Sequence, residues 1–182
     1  MATYSLQRFD ERKLDEALAA LRTAEKTAQA EPLHPWLELW RAESCAAGEA
    51  TADDFRALFI SCTVGKPVDL LDRTPARMAG GAVEKDVRSA LLGLELGYGL
   101  DPWARDHGDL EPATILSPDA ILGVFRSADV ERLNSRLQAI NALTISVDED
   151  ELETYMQAWE RLLKVFATAC ERKDGLALVA RS

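Results

Sequence analysis

The chain has 182 residues, of which 47% are hydrophobic and 29% charged. A polypeptide of this length buries roughly two-thirds of its unfolded surface, and this balance of side chains excludes a disordered or membrane-inserted class, so one globular domain over 1–182 is expected. With 31 acidic against 21 basic residues the formal net charge is -10, which repels a phosphate backbone and leaves solubility or a basic protein partner as the use of the acidic surface.

The opening run Thr3-Tyr4-Ser5-Leu6-Gln7, before Phe9, alternates polar and larger side chains, the pattern of a short half-buried strand. Asp10 is placed to cap a helix in which Leu14, Leu18, Leu21, Ala24 and Ala28 recur every three or four residues, with Glu31-Pro32 as its stop. Pro35 fits the first position of a second helix with Trp36, Leu39, Trp40 and Cys45 on its inner side and Gly48 at its close. Thr51 and Asp54 form a capping box ahead of Phe55, Leu58, Phe59 and Cys62.

Between Val64 and Gly81 the glycines and prolines Gly65, Pro67, Pro75, Gly80 and Gly81 permit only a short helix, around Val68 to Asp72. A clear 3.6-residue period returns with Val83, Val87, Ala90, Leu91 and Leu94 and ends at Gly97 and Gly99. Leu100 to Ile115 reads as a long loop. Ser117-Pro118-Asp119 then starts a short helix burying Ile121, Leu122 and Phe125, and Ser127 caps another carrying Val130, Leu133, Leu137 and Ile140 up to Asn141. Ser146 to Glu149 is a capping box for a long helix whose apolar face runs Leu152, Tyr155, Met156, Trp159, Leu162, Leu163, Phe166 and Cys170, with Gly175 as its cap. Leu176 to Arg181 reads as a strand. Pairing it with the opening strand satisfies the backbone groups of both, so the expected class is α+β, predominantly α-helical, with about seven helices and paired terminal strands.

Few residues carry chemical grammar. There is no G-x-S-x-G elbow, and Val64-Gly65-Lys66-Pro67 lacks the glycine spacing and hydroxyl residue of a phosphate loop, so it reads as a turn. The two histidines, His34 and His107, are in different loops and offer no ligand pair for zinc; neither a metal nor a cofactor is expected. The run Asp148 to Glu151 lacks the order of a calcium loop and suits the positive end of a helix dipole. Cys45, Cys62 and Cys170 form no CxxC pair and read as reduced core residues, and the charged N-terminus without an apolar core segment points to the cytoplasm. Of the tryptophans, Trp36, Trp40 and Trp159 fall on apolar stripes and are expected in the core.

Gly97-Tyr98-Gly99, followed by Pro112-Ala113-Thr114-Ile115-Leu116-Ser117-Pro118-Asp119-Ala120-Ile121, resembles the signature segment of the YfbM-like family of bacterial proteins of unknown function. In that family the two parts run nearly together, whereas about a dozen residues intervene here. The resemblance spans residues 83 to 181 and implies an α+β fold with the terminal strands together; it implies no catalytic residues.

Two functions remain open on the sequence. The first is a non-catalytic protein-binding domain, of the immunity or antitoxin-like kind, whose acidic surface and loop from Tyr98 to Glu111 engage a basic protein; Tyr98, Asp101, Trp103, Arg105, Asp106, His107 and Asp109 are its candidate binding residues. The alternative is a small-molecule-binding protein or enzyme with His107 as acid–base beside that loop and Asp106 or Asp109 orienting it.

Overall fold

A computed structural model describes residues 3–79, 84–95, 120–141 and 148–181. Strand β1 covers Thr3–Phe9 and runs two residues past Gln7. Helix α1, Glu11–Thr27, starts where expected: the Asp10 carboxylate accepts the Lys13 N–H, and Leu14, Ala17, Leu21 and Ala24 are buried. The helix stops before Glu31-Pro32, at Ala28, whose left-handed backbone lets its N–H return to the Ala24 carbonyl. A single 3-10 turn, Glu31–Leu33, leads towards α2, Leu39–Ala46.

Helix α2 corrects the expected phase. It begins at Leu39 rather than Pro35 and buries Ala42, Cys45 and Ala46, leaving Leu39 and Trp40 on the outside. The small residues, spaced three and four apart, let α2 approach closely, while a tryptophan on that stripe would hold it away. The Thr51 capping box is present in both directions: the Thr51 side chain accepts the Asp54 N–H and the Asp54 carboxylate accepts the Thr51 N–H. It introduces α3, Ala52–Ser61, and buries Phe55, Leu58 and Phe59.

Residues Thr63–Leu71 form strand β2, in place of both the turn at Val64–Pro67 and the short helix expected around Val68. Pro67, which has no N–H to give a neighbour, is tolerated because β2 lies at the sheet edge. Gly65 at φ 70 sits where the register with β1 shifts between Leu6 and Arg8, a bulge that glycine accommodates without strain. Helices α4, Pro75–Ala79, and α5, Lys85–Glu95, follow.

Ala120–Phe125 is strand β3, not a helix. Its apolar residues serve both faces of a sheet: Leu122 and Phe125 join one core, Val124 and Ile121 the other. Spacings of one, three and four between positions 121, 122 and 125 mimic a helical stripe whenever a short strand is buried on both sides. Helix α6, Ser127–Gln138, takes Arg126 rather than Ser127 as its N-cap and ends before Asn141. A 3-10 turn at Glu149–Glu151 leads into α7, Leu152–Arg172, while the expected capping residue Ser146 lies outside the described residues. Lys173, at φ 57, is the left-handed cap of α7, and Gly175 instead opens strand β4, Gly175–Arg181.

The four strands form an antiparallel sheet in the order β2-β1-β4-β3. The terminal strands pair with each other, as expected, and form the centre of the sheet; their ladder runs without a bulge from Thr3↔Arg181 to Phe9↔Gly175. Alternate residues feed two cores. Leu6, Leu176 and Leu178 face a core shared with α4, α5, α6 and α7, where Tyr155 stacks on Trp159 with ring centres 6.3 Å apart. Phe9 and Ala177 face a core shared with α1, α2 and α3. The described residues thus form an α+β arrangement, mostly helical, with helices on both faces of one sheet.

Gly175 is where this packing tolerates least. A Cβ there would lie 2.2 Å from Cζ of Phe9, which is fully buried and packed edge-on against Phe59 at 5.3 Å. Gly175→Ala is therefore expected to lower stability by about 1–3 kcal/mol in urea denaturation; an unchanged midpoint would show that the Phe9 ring moves aside freely.

Candidate functional site

Tyr98, Asp101, Trp103, Arg105, Asp106, His107 and Asp109 lie outside the described residues, as does the rest of the segment 96–119. His34 is exposed at the end of the 3-10 turn, where its backbone N–H donates to the Glu31 carbonyl at 3.2 Å. Among the described residues no group of three or more His, Cys, Asp or Glu side chains is arranged to hold a metal ion. No helix among them is long and apolar enough to cross a membrane.

Several acidic side chains of the helices and of the end of the central ladder are met locally by arginines. Arg126 reaches Asp15 at 2.9 Å and Glu11 at 3.9 Å, tying the start of α6 to the outer face of α1, and the Ser127 N–H donates to Glu11 at 2.9 Å. Arg136 bridges to Asp86 and Glu84, and its hydrogen bond holds the Asp86 carboxyl below the ordinary range. Arg8 and Asp174 pair at 2.8 Å across the end of the central ladder. Burial there outweighs the pull of Arg8 and raises the Asp174 pKa.

Residues Asp148 to Glu153 are all exposed and five of the six are acidic. Glu151 pairs with Arg73, whose guanidinium also lies 5.7 Å from the Tyr155 ring centre. This run leads into the amino end of α7, where the helix dipole favours negative charge.

The surface that departs most from the sequence reading is the first turn of α2. Trp40 is 61% exposed and Leu39 59%. An exposed tryptophan is ordinarily free to sample rotamers, yet this one is held: its indole N–H donates to the Glu38 carboxylate at 2.9 Å, and the Arg41 guanidinium lies 5.0 Å from its ring centre. Arg41 is itself anchored, donating to the Asp53 carbonyl at 3.2 Å and pairing with Asp54 at 3.6 Å. Glu43, exposed, follows Leu39 by four residues and Trp40 by three, so it shares their face. The arrangement is a fixed aromatic plate flanked by carboxylates. Starting the helical period at Leu39, with Ala42, Cys45 and Ala46 as the inner stripe, is the signal in the sequence that would have placed Trp40 outside.

Of the other tryptophans, Trp36 is half-buried and Trp159 fully buried, so the expected core role holds for Trp159 and fails for Trp40. Two thiols are chemically quiet. Burial pushes Cys45 up to about 11, with Asp54 and Glu25 adding to the effect, and burial likewise raises Cys62, whose thiol donates to the Leu58 carbonyl. Burial also pushes Tyr155 up to about 12, and its hydroxyl donates to the Met78 carbonyl at 2.7 Å. Thiolate is the reactive species, so native protein treated with iodoacetamide at neutral pH is expected to stay unmodified at Cys45 and Cys62, as read by peptide mass mapping; rapid alkylation of either would contradict this burial. No family model, curated protein or solved structure matches the chain.

Proposed function

We propose that the protein is a non-catalytic binding domain that engages a basic protein in the cytoplasm through its acidic surface, in the manner of an immunity or antitoxin-like inhibitor. The observation that carries this reading is the Leu39–Trp40 pair, an apolar anchor presented outwards and framed by Glu38 and Glu43. Exposed tryptophans that fill a partner's pocket contribute disproportionately to binding. Restraint by Glu38 and Arg41 removes part of the ordering cost that a mobile side chain would bring to the complex.

Net charge supplies the second half of the argument. At -10, the field accelerates encounter with a cationic partner and disfavours nucleic acid. The buried unpaired thiols Cys45 and Cys62 suit a reducing compartment. Membership of the YfbM-like family is proposed on the segment Gly97 to Ile121, and brings no activity with it.

Affinity capture from cells carrying the gene, run at low and at high salt, tests the reading. A basic protein should bind saturably, lose affinity as salt rises, and bind Trp40→Ala at least about tenfold more weakly. The absence of any salt-sensitive partner, or equal binding by Trp40→Ala, would overturn it.

A further inference from the structure

The outer face of the sheet is not filled along its whole length. Near one end Phe9 and Ala177 are covered by α1 to α3. Farther along, Ser5 on β1, Val179 on β4 and Ile121 on β3 form one cross-strand row, and between this row and the second half of α3 lies a cavity of about 250 Å³. Phe59 and Ile60 of α3 and Pro67 of β2 complete its apolar wall.

Polar atoms are few and specifically placed. Ser5 is 1% exposed, lines the cavity, and its hydroxyl has no hydrogen-bond partner among the described residues. A buried hydroxyl left in this state is costly, and native proteins leave few such groups unsatisfied. Gln7, beside it, has its amide nitrogen committed to the Arg8 and Val64 carbonyls at 2.9 and 3.1 Å, so it is held in place and not available to turn towards Ser5. The charged members of the lining are Arg56 and Arg181, and among the described lining residues none is acidic. Both arginines make other contacts, but a guanidinium carries five N–H donors, enough to keep a partner and still receive a carboxylate.

We infer that this cavity binds a small organic anion: an aromatic or short aliphatic carboxylate whose apolar body lies on Val179, Ile121 and Phe59, with oxygen atoms taken by Ser5 and the two arginines. A cavity of 150 Å³ accommodates benzene, so this one suits a ligand of roughly ten non-hydrogen atoms. The site is independent of the Trp40 surface, and each stands or falls without the other.

Benzoate, with benzamide as its neutral counterpart, is the probe. Calorimetry and amide chemical-shift titration should show saturable binding of benzoate with a Kd of about 1 mM or tighter, with shifts centred on Ser5, Thr63 and Val179. Ser5→Val should weaken benzoate about tenfold without lowering the melting temperature of the free protein, because it removes a hydroxyl that has no partner there. Arg181→Met should weaken benzoate but leave benzamide unchanged, Val179→Phe should abolish binding by filling the space, and Trp40→Ala should leave it intact. No saturation up to about 10 mM benzoate, equal binding by Ser5→Val and Val179→Phe, or a crystal structure from benzoate-soaked protein with only water in the cavity would each overturn the inference.

Discussion

The pairing of β1 with β4 brings Thr3–Phe9 against Gly175–Arg181 in one unbroken antiparallel ladder, and most other features of the molecule follow from it. Closing a loop of this length costs conformational entropy that grows only logarithmically with the chain between the ends. The return is large because the two terminal strands are the inner strands of the sheet, buried on both faces. Leu176 and Leu178 point into one core and Ala177 into the other. A register slip of one residue would exchange the faces and put Leu6 where Ser5 lies. The Arg8–Asp174 pair fastens the end of this ladder, although at a cost: burial raises the Asp174 pKa, so the folded state holds its proton more tightly than the unfolded chain and this residue favours folding more as pH falls.

Both surfaces of interest depend on that frame. The cavity beside Ser5 exists because α3 covers the Phe9 end of the outer face more fully than the Val179 end. Trp40 is exposed because α2 packs through Ala42, Cys45 and Ala46, a stripe that brings the helix close to α1 and leaves its first turn projecting. Arg41 links this turn to α3 through Asp53 and Asp54. In each case small residues at a contact determine what is left facing outward.

Long amphipathic helices were legible in the sequence because their period repeats: most of the stripes of α1, α5, α6 and α7 and the Thr51–Asp54 capping box are where spacing placed them, while Ala28 and Leu152, expected on the stripes but sitting at helix ends, are exposed. The terminal strands were legible from alternation and from the need to pair their backbone groups. β2 and β3 were not. Gly65 and Pro67 in β2 are ordinary turn residues that an edge strand with a bulge also accepts, and the six residues of β3 are too few for period two to be told from period 3.6 when both faces are buried. Trp40 was misplaced because the inner stripe was phased on the large residues Trp36, Leu39 and Trp40, whereas the helix packs through the small residues Ala42, Cys45 and Ala46, which lie on another side of its axis. The loop residues from Tyr98 to Asp109, singled out for their mixture of aromatic and charged side chains, lie outside the described residues. Ser5 carries no signal in one dimension: its unsatisfied hydroxyl becomes visible only once Val179 and α3 are seen around it.

Native-state hydrogen exchange tests the central role of the terminal ladder most directly. If the frame rests on β1 and β4, amides within Leu6–Phe9 and Leu176–Val179 exchange only through global unfolding, with the free energy found by denaturant titration, while those of α2, Leu39–Ala46, exchange through smaller local openings. Exchange of the β1 and β4 amides as fast as those of α2, under conditions where the rest of the sheet stays protected, would contradict this account.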